Sequence, residues 1–393
     1  MLLLTVIYLA FISLGIPDSM LGAAWPAIYQ DLSIPVTYIS AVSGLVTVCT
    51  IISSFFSGKI LNRYGTYRVV ECSVILTAAA LSGFSLSKSL VCLFILTVPL
   101  GLGAGAIDTA LNDYVVQHYS AKVLNFLHCF YGVGITISPY ILSLFLYSNG
   151  GWRYGYRAMS AVQGIIAFIV LISYPLWDRK KCRNEDDDGI RAPQNISFRC
   201  AFRQHLAKSV FFTFFAANAL ESVCTVWAST VFYGIQSSSV SQAAEAVTFY
   251  FAGLALGRFL SGILSKRISG IKMILIFPLT IPMGVLTFFI RVPVYLMRIG
   301  LLLIGVGIGP LHPNLLRLTP QLFGEESSKV MMGYEIASAY TAVLLTPILF
   351  GMINKWFGIG AFAPFITTVF AAYMILLWSI NKAFLKKMKR VKM

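Results

Sequence analysis

The sequence predicts an all-α membrane protein of twelve transmembrane helices in two similar six-helix halves. Three observations carry that prediction. Apolar stretches of about twenty residues recur along all 393 residues, each long enough to cross a bilayer as a helix. Only 11% of residues are charged and 58% are hydrophobic, whereas roughly a quarter would be charged in a soluble domain. The one long polar interruption falls midway, with six apolar spans on each side.

Span 1 centres near residue 15. The stretch from Met1 to Ile28 lacks a basic leader and stays apolar past the length of a secretory signal, so it reads as a span. Spans 2 to 6 centre near residues 49, 78, 103, 134 and 167. Spans 7 to 12 centre near 220, 252, 281, 305, 340 and 370. Connections are short except for the segment running from about Asp178 to Lys208, which is charged and broken by Pro193. The expected organisation is an N-terminal bundle over 1–178, a cytoplasmic linker over 179–207 and a C-terminal bundle over 208–393.

Charge placement predicts the orientation. With both termini in the cytoplasm, twenty-three of the thirty Lys and Arg residues fall on the inner side and six on the outer. That bias follows the positive-inside rule and predicts a multi-pass protein of the cell membrane. The net charge of +15 then reflects topology and anionic lipid, and calls for no nucleic-acid partner. The seven cysteines are scattered without metal-ligand spacing and read as small apolar fillers. The "NIS" at 195–197 matches a glycosylation sequon but falls on the expected cytoplasmic side.

The halves resemble each other. "SGKILNRYG" (57–65) closes span 2 and "SGILSKRISG" (261–270) closes span 8. "GLGAGAIDTALN" (101–112) in span 4 matches "GVGIGPLHPNLL" (305–316) in span 10. Gly101, Gly105, Asp108 and Asn112 share one helix face, and Gly305, Gly309 and His312 repeat the spacing, which makes Asp108 and His312 pseudo-equivalent. Paired halves of this kind suggest a rocking carrier with its solute bound near the midplane. The glycines read as points of close helix approach. They do not form a dinucleotide fingerprint, which would need a strand before them.

A carboxylate at mid-span costs about 2.5–3.5 kcal/mol on insertion scales, so each one needs a reason. The candidates are Asp18, Asp108, Glu221 and Glu335. Desolvation penalises a charged carboxylate, so such groups suit proton exchange; the alternative is a permanent pair with Arg258 of span 8, or a helix cap. Asp18 shares a face with Gly15, Gly22 and Trp25 in "GIPDSMLGAAWP". Asn218, Glu221 and Thr225 share a face in "NALESVCTVW", with Trp227 nearby. Span 2 carries a stripe of Ser43, Thr47, Thr50 and Ser54. Such stripes either line a cavity or bond neighbouring helices; together they predict a water-accessible cavity for a hydroxylated solute. His128 and Tyr131 of span 5 are candidates to face it. Arg258 is either an ion-pair partner or a solute ligand.

"GKILNRYGTYR" (58–68) resembles the loop motif between spans 2 and 3 of the major facilitator superfamily. Gly58, Arg63 and Gly65 match, and Asn62 stands where the motif has an acid. "GIPDSMLGAAWP", "GLGAGAIDTALNDYV", "LNFLHCFYGVGITISP", "ESVCTVW" and "FAGLALGR" resemble the fucose–proton symporter family within that superfamily. The resemblance implies the major facilitator fold and proton-driven sugar import. It puts the family's span 1 acid at Asp18, its span 4 acid at Asp108 and its span 5 polar contacts at His128 and Tyr131. The span 7 glutamate of related sugar carriers falls at Glu221, followed by Trp227.

The expected protein is a monomeric symporter working by alternating access on a sugar or similar polyol, with the lipid bilayer, protons and the solute as its partners and no cofactor. Asp108, Asp18 and Glu221 are expected to couple protons. Asp18, Asn112, His128, Tyr131, Asn218, Glu221, Trp227 and His312 are expected to bind solute. Gly58, Arg63, Gly65 and Arg258 are expected in gating or structural roles. The rivals are a drug–proton antiporter and a non-transporting receptor or scaffold. Against the antiporter, span 5 has Ser138 before Pro139 where such exporters carry Gly-Pro. No nucleophile–base pair or metal cluster suggests an enzyme.

Overall fold

A computed structural model describes residues 2–119, 121–148, 150–178, 206–236, 238–265, 267–290 and 292–391. The linker over 179–205 lies outside them, with Cys182, Cys200 and the 195–197 sequon, and so do Lys266 and Arg291. Every regular element among the described residues is helical. In chain order these are α1 (Leu2–Asp31), α2 (Tyr38–Leu86), α3 (Leu90–His118), α4 (Ala121–Tyr147), α5 (Gly151–Ile172), α6 (Tyr174–Asp178) and α7 (Ala207–Gln236). Then follow α8 (Val240–Leu264), α9 (Gly270–Ile276), α10 (Thr280–Phe289), α11 (Val294–Ile308), α12 (Leu311–Phe323), α13 (Glu325–Phe357) and α14 (Phe362–Val391).

Eleven stretches are long and apolar enough to cross a membrane. One of them, α2, holds 49 residues, which is about 74 Å of helix and more than twice the hydrocarbon thickness. It breaks at Gly65, whose φ of 77° and ψ of 158° are non-helical. A side chain there would be strained, so glycine makes the bend between spans 2 and 3. Counting α2 twice gives the twelve spans that the sequence predicts. Span 9 is α9 and α10, joined by a 3₁₀ turn at Phe277–Leu279 with Pro278 inside it. Span 10 is α11 and α12, interrupted at Gly309 and Pro310.

The helices pack as two compact units. The described residues of Met1–Asp188 pack with Thr225–Phe251, and those of Gly189–Cys224 pack with Ala252–Met393. In the first unit, backbones touch at glycines. A Cβ on Gly15 would meet the Tyr131 carbonyl, one on Gly134 the Ile12 carbonyl, and one on Gly22 the Thr225 carbonyl. Spans 2 and 4 meet in the same way at Gly101 and Gly105. Gln163 is a fully buried hub: its Nε2 donates to Ser13 O (3.1 Å), Ser13 Oγ (2.9 Å) and Thr77 Oγ1 (2.7 Å). Pro17 lacks the N–H that would have reached the Ser13 carbonyl, so Gln163 supplies the missing donor. At one end, Arg153 pairs with Asp31 at 2.7 Å and donates to Ser87 O, with the Trp152 ring beneath its guanidinium.

The second unit repeats the close approach between spans 8 and 10. A Cβ on Gly253 or Gly257 would meet the Leu302 or Val306 carbonyl, and one on Gly309 that of Leu254. Its core gathers Val210 and Phe214 of α7, Ile274 of α9, Leu311 and Leu318 of α12, and Tyr373 of α14.

Candidate functional site

The first group of polar side chains belongs to spans 1, 4 and 5. From Ser13 to Trp25 every residue is buried except Asp18, which is exposed. Asp18 is therefore the one accessible residue in a stretch of helix that is otherwise closed. The Gly15–Gly134 contact brings span 5 close enough for the Tyr131 hydroxyl to donate to Asp18 Oδ2 at 2.9 Å. Asp108 lies on unbroken helix α3, where Asn112 Nδ2 donates to its Oδ1 at 2.8 Å and to its backbone carbonyl at 2.9 Å. The carboxyls of Asp18 and Asp108 lie within electrostatic range of each other. His128 is exposed, with Phe11 edge-on at 5.7 Å. The predicted residues Asp18, Tyr131, Asp108 and Asn112 thus form two bonded pairs in one neighbourhood.

The second group lies in spans 7, 8 and 10. Arg258 Nη2 meets Glu221 Oε1 at 2.9 Å, with their side chains 24% and 28% exposed. Arg258 Nε also donates to Gly309 O at 3.2 Å. Pro313 has no N–H for that carbonyl four residues back, so the guanidinium satisfies both an acid and a helix break. His312 opens α12 just past the break, its Nδ1 3.2 Å from Asn218 Oδ1 and its ring edge-on to Phe214. Of the two readings of Arg258, the geometry is that of an ion-pair partner.

Trp227 is 0% exposed. It presents no open ring face to a solute in this conformation, because its stretch of helix is packed inside the protein. Gly58, Arg63 and Gly65 are exposed around the bend between spans 2 and 3. The hydroxyl stripe on span 2 corrects an expectation. Half of it bonds the neighbouring helix: Thr50 donates to Gly101 O and Ser54 to Gly105 O, with Ser53 beside the stripe donating to Leu102 O, while Ser43 and Thr47 bond their own helix. Small glycines let the backbones approach, and the hydroxyls then take up carbonyls across the seam. Gln163 and the Asp31–Arg153 pair were not singled out from the sequence. The signal for Gln163 was Pro17, which orphans a carbonyl four residues earlier. The five described cysteines form no disulfide with one another, and the described residues hold no cluster of three or more potential metal ligands.

Comparisons with known proteins agree with this architecture. A profile of the Major Facilitator Superfamily matches residues 7–334. The glucose/mannose transporter GlcP of Bacillus subtilis (strain 168) is 21% identical over 360 residues, covering 88% of this chain and 87% of its own. An uncharacterized transporter of the same superfamily from that organism, YfkL, is 21% identical over 361 residues, covering 90% and 89%. The crystal structure of a D-xylose–proton symporter superposes with a TM-score of 0.72 over 96% of each chain, at 12% identity. With twelve apolar spans in two similar halves and a match across most of its length, the chain belongs to the Major Facilitator Superfamily of membrane transporters.

Proposed function

We propose that this transporter is a proton-coupled symporter that imports a sugar or similar polyhydroxylated solute by alternating access. The observation that carries the reading is the exposed Asp18, set in an otherwise buried stretch of helix, bonded to Tyr131 and within electrostatic range of Asp108. An acceptor fixed in this way suits sugar hydroxyls. A second carboxyl held, among the described residues, by the neutral amide of Asn112 suits a proton that must come and go. The names of GlcP and of the xylose symporter lend support from outside the chain.

Asp108 binds the coupling proton in this scheme, and its neutralisation removes a charge that would oppose reorientation. Asp18 accepts from the solute, flanked by Tyr131 and His128. Asn112 supplies a further polar contact beside Asp108, and Asn218 and His312 form their own polar pair in the second unit. Glu221 and Arg258 neutralise one another, so Glu221 contributes as part of a pair. The protein works as a monomer in the cell membrane, with both termini cytoplasmic.

The test is counterflow and pH-gradient-driven uptake in proteoliposomes, with a panel of radiolabelled hexoses, pentoses, deoxyhexoses and amino sugars. Wild type should accumulate one class when the inward proton gradient is applied. Asp108→Asn should lose accumulation and keep counterflow. Accumulation by the variant would remove Asp108 from coupling. Efflux of a lipophilic cation dye, with no sugar uptake, would favour the antiporter.

A further inference from the structure

Glu335 is the membrane carboxyl that the scheme above leaves unused. It sits on α13 and is 0% exposed, as is Thr319 of α12, whose Oγ1 lies 2.7 Å from Glu335 Oε2. The other oxygen, Oε1, is enclosed without a hydrogen-bond partner. The two ion pairs among the described residues do not involve it. Among the described side chains, the titratable groups on the elements around it are engaged or turned outward. On α12, Arg317 is exposed and His312 bonds Asn218. On α7, Lys208 is exposed. On α13 itself, Tyr334 packs its ring against Phe211. On α14, Tyr373 donates to Ile274 O and Lys382 lies over Trp378.

An ionised carboxylate presents about four acceptor positions, and here one hydroxyl meets one of them. An enclosed, uncompensated charge costs several kcal/mol, which one neutral donor worth about 1.5–3 kcal/mol does not offset. A proton on Oε2 changes the account. The acid then donates to Thr319 Oγ1 at a normal O–H···O separation, and Oε1 becomes a neutral carbonyl, whose unmet acceptor costs far less.

We propose that Glu335 is a proton-binding site of the second unit, occupied in this conformation and separate from the Asp18–Asp108 group. Its proton leaves when the seam between spans 10 and 11 admits water. The proposal does not depend on the nature of the solute, so failure to transport sugar would leave it standing.

The test is pH-titrated infrared spectroscopy of the purified protein in lipid, comparing wild type with Glu335→Gln. Above the range where exposed carboxyls ionise, wild type should keep a protonated-acid C=O band that the isosteric glutamine removes. Thr319→Val should move that band to higher frequency, because the acid loses its acceptor. If the wild-type-minus-variant spectrum at neutral pH shows ionised carboxylate instead, Glu335 is a charge and the proposal is overturned. If Glu335→Gln does not fold, Thr319→Val reads the same group: a shifted acid band supports the proposal, and an unchanged spectrum overturns it.

Discussion

Tyr131 and Asp18 show what a single bond does at the residue scale. The hydroxyl fixes one oxygen of the Asp18 carboxylate, and in the proposed scheme the other accepts from the solute. A hydrogen bond to a charged group contributes about 1.5–3 kcal/mol, and 1.4 kcal/mol is tenfold in affinity. Tyr131→Phe should therefore raise the apparent KM for counterflow on the order of ten-fold while sparing Vmax, read by initial rates in proteoliposomes. Glu221 and Arg258 make a different prediction. Arg258→Gln strands an acid and leaves the Gly309 carbonyl without its guanidinium donor. Because the pair is partly reached by solvent, the loss should be about 1–3 kcal/mol, below the 3–5 of a sealed pair. The double variant Glu221→Gln with Arg258→Gln should recover much of it in a thermal melt. The acids were legible in the sequence because charge stands out in an apolar run. Which acid pairs with Arg258 was not, since Glu221 lies 37 residues away and only folding chooses it over Asp18 or Asp108. Trp227 was misleading for the same reason: spacing says that a ring is near an acid, not which way it faces.

Seams between spans are set by glycine at the element scale. Gly105→Leu should separate spans 2 and 4, because its side chain would enter the Thr50 backbone. The checks are melting temperature and recovery from detergent, both expected to fall sharply. Ser54→Ala removes one interhelical bond from the same seam, and at about 0.6 kcal/mol its effect should be small by comparison. Gly65→Ala should cost about 1–3 kcal/mol, since its φ of 77° and ψ of 158° lie in a region essentially confined to glycine. The glycine pattern of span 4 and its repeat in span 10 foretold close packing. The hydroxyl stripe of span 2 pointed to a cavity because periodicity reports a shared face without reporting what that face meets. The breaks in spans 9 and 10 fall at Pro278 and Pro310, which the hydropathy of an apolar run does not reveal.

At the scale of the whole molecule, the twelve spans were legible because length and hydropathy are local properties. Packing partnership is not local. Polarity marks a linker over 179–207, yet Thr225–Phe251 packs with the first unit, through contacts such as Gly22 against Thr225 and Ser229 Oγ on Ala23 O. Orientation rests on charge bias and has a direct check. In a cysteine-depleted background, an impermeant maleimide applied to intact cells should label Lys88→Cys and not Lys59→Cys; the reverse pattern would invert the topology. The contact of Gly15 with span 5 has one more consequence. Asp18 and Tyr131 stand on two helices joined peptide to peptide, where no side chain has rotamers to lose. Little conformational entropy is then surrendered when a solute docks. More of the affinity is left to bias one state of the carrier over the other. Substituting alanine at Gly15 should thus appear calorimetrically, as a less favourable binding entropy, before it appears as a change in which solute is chosen.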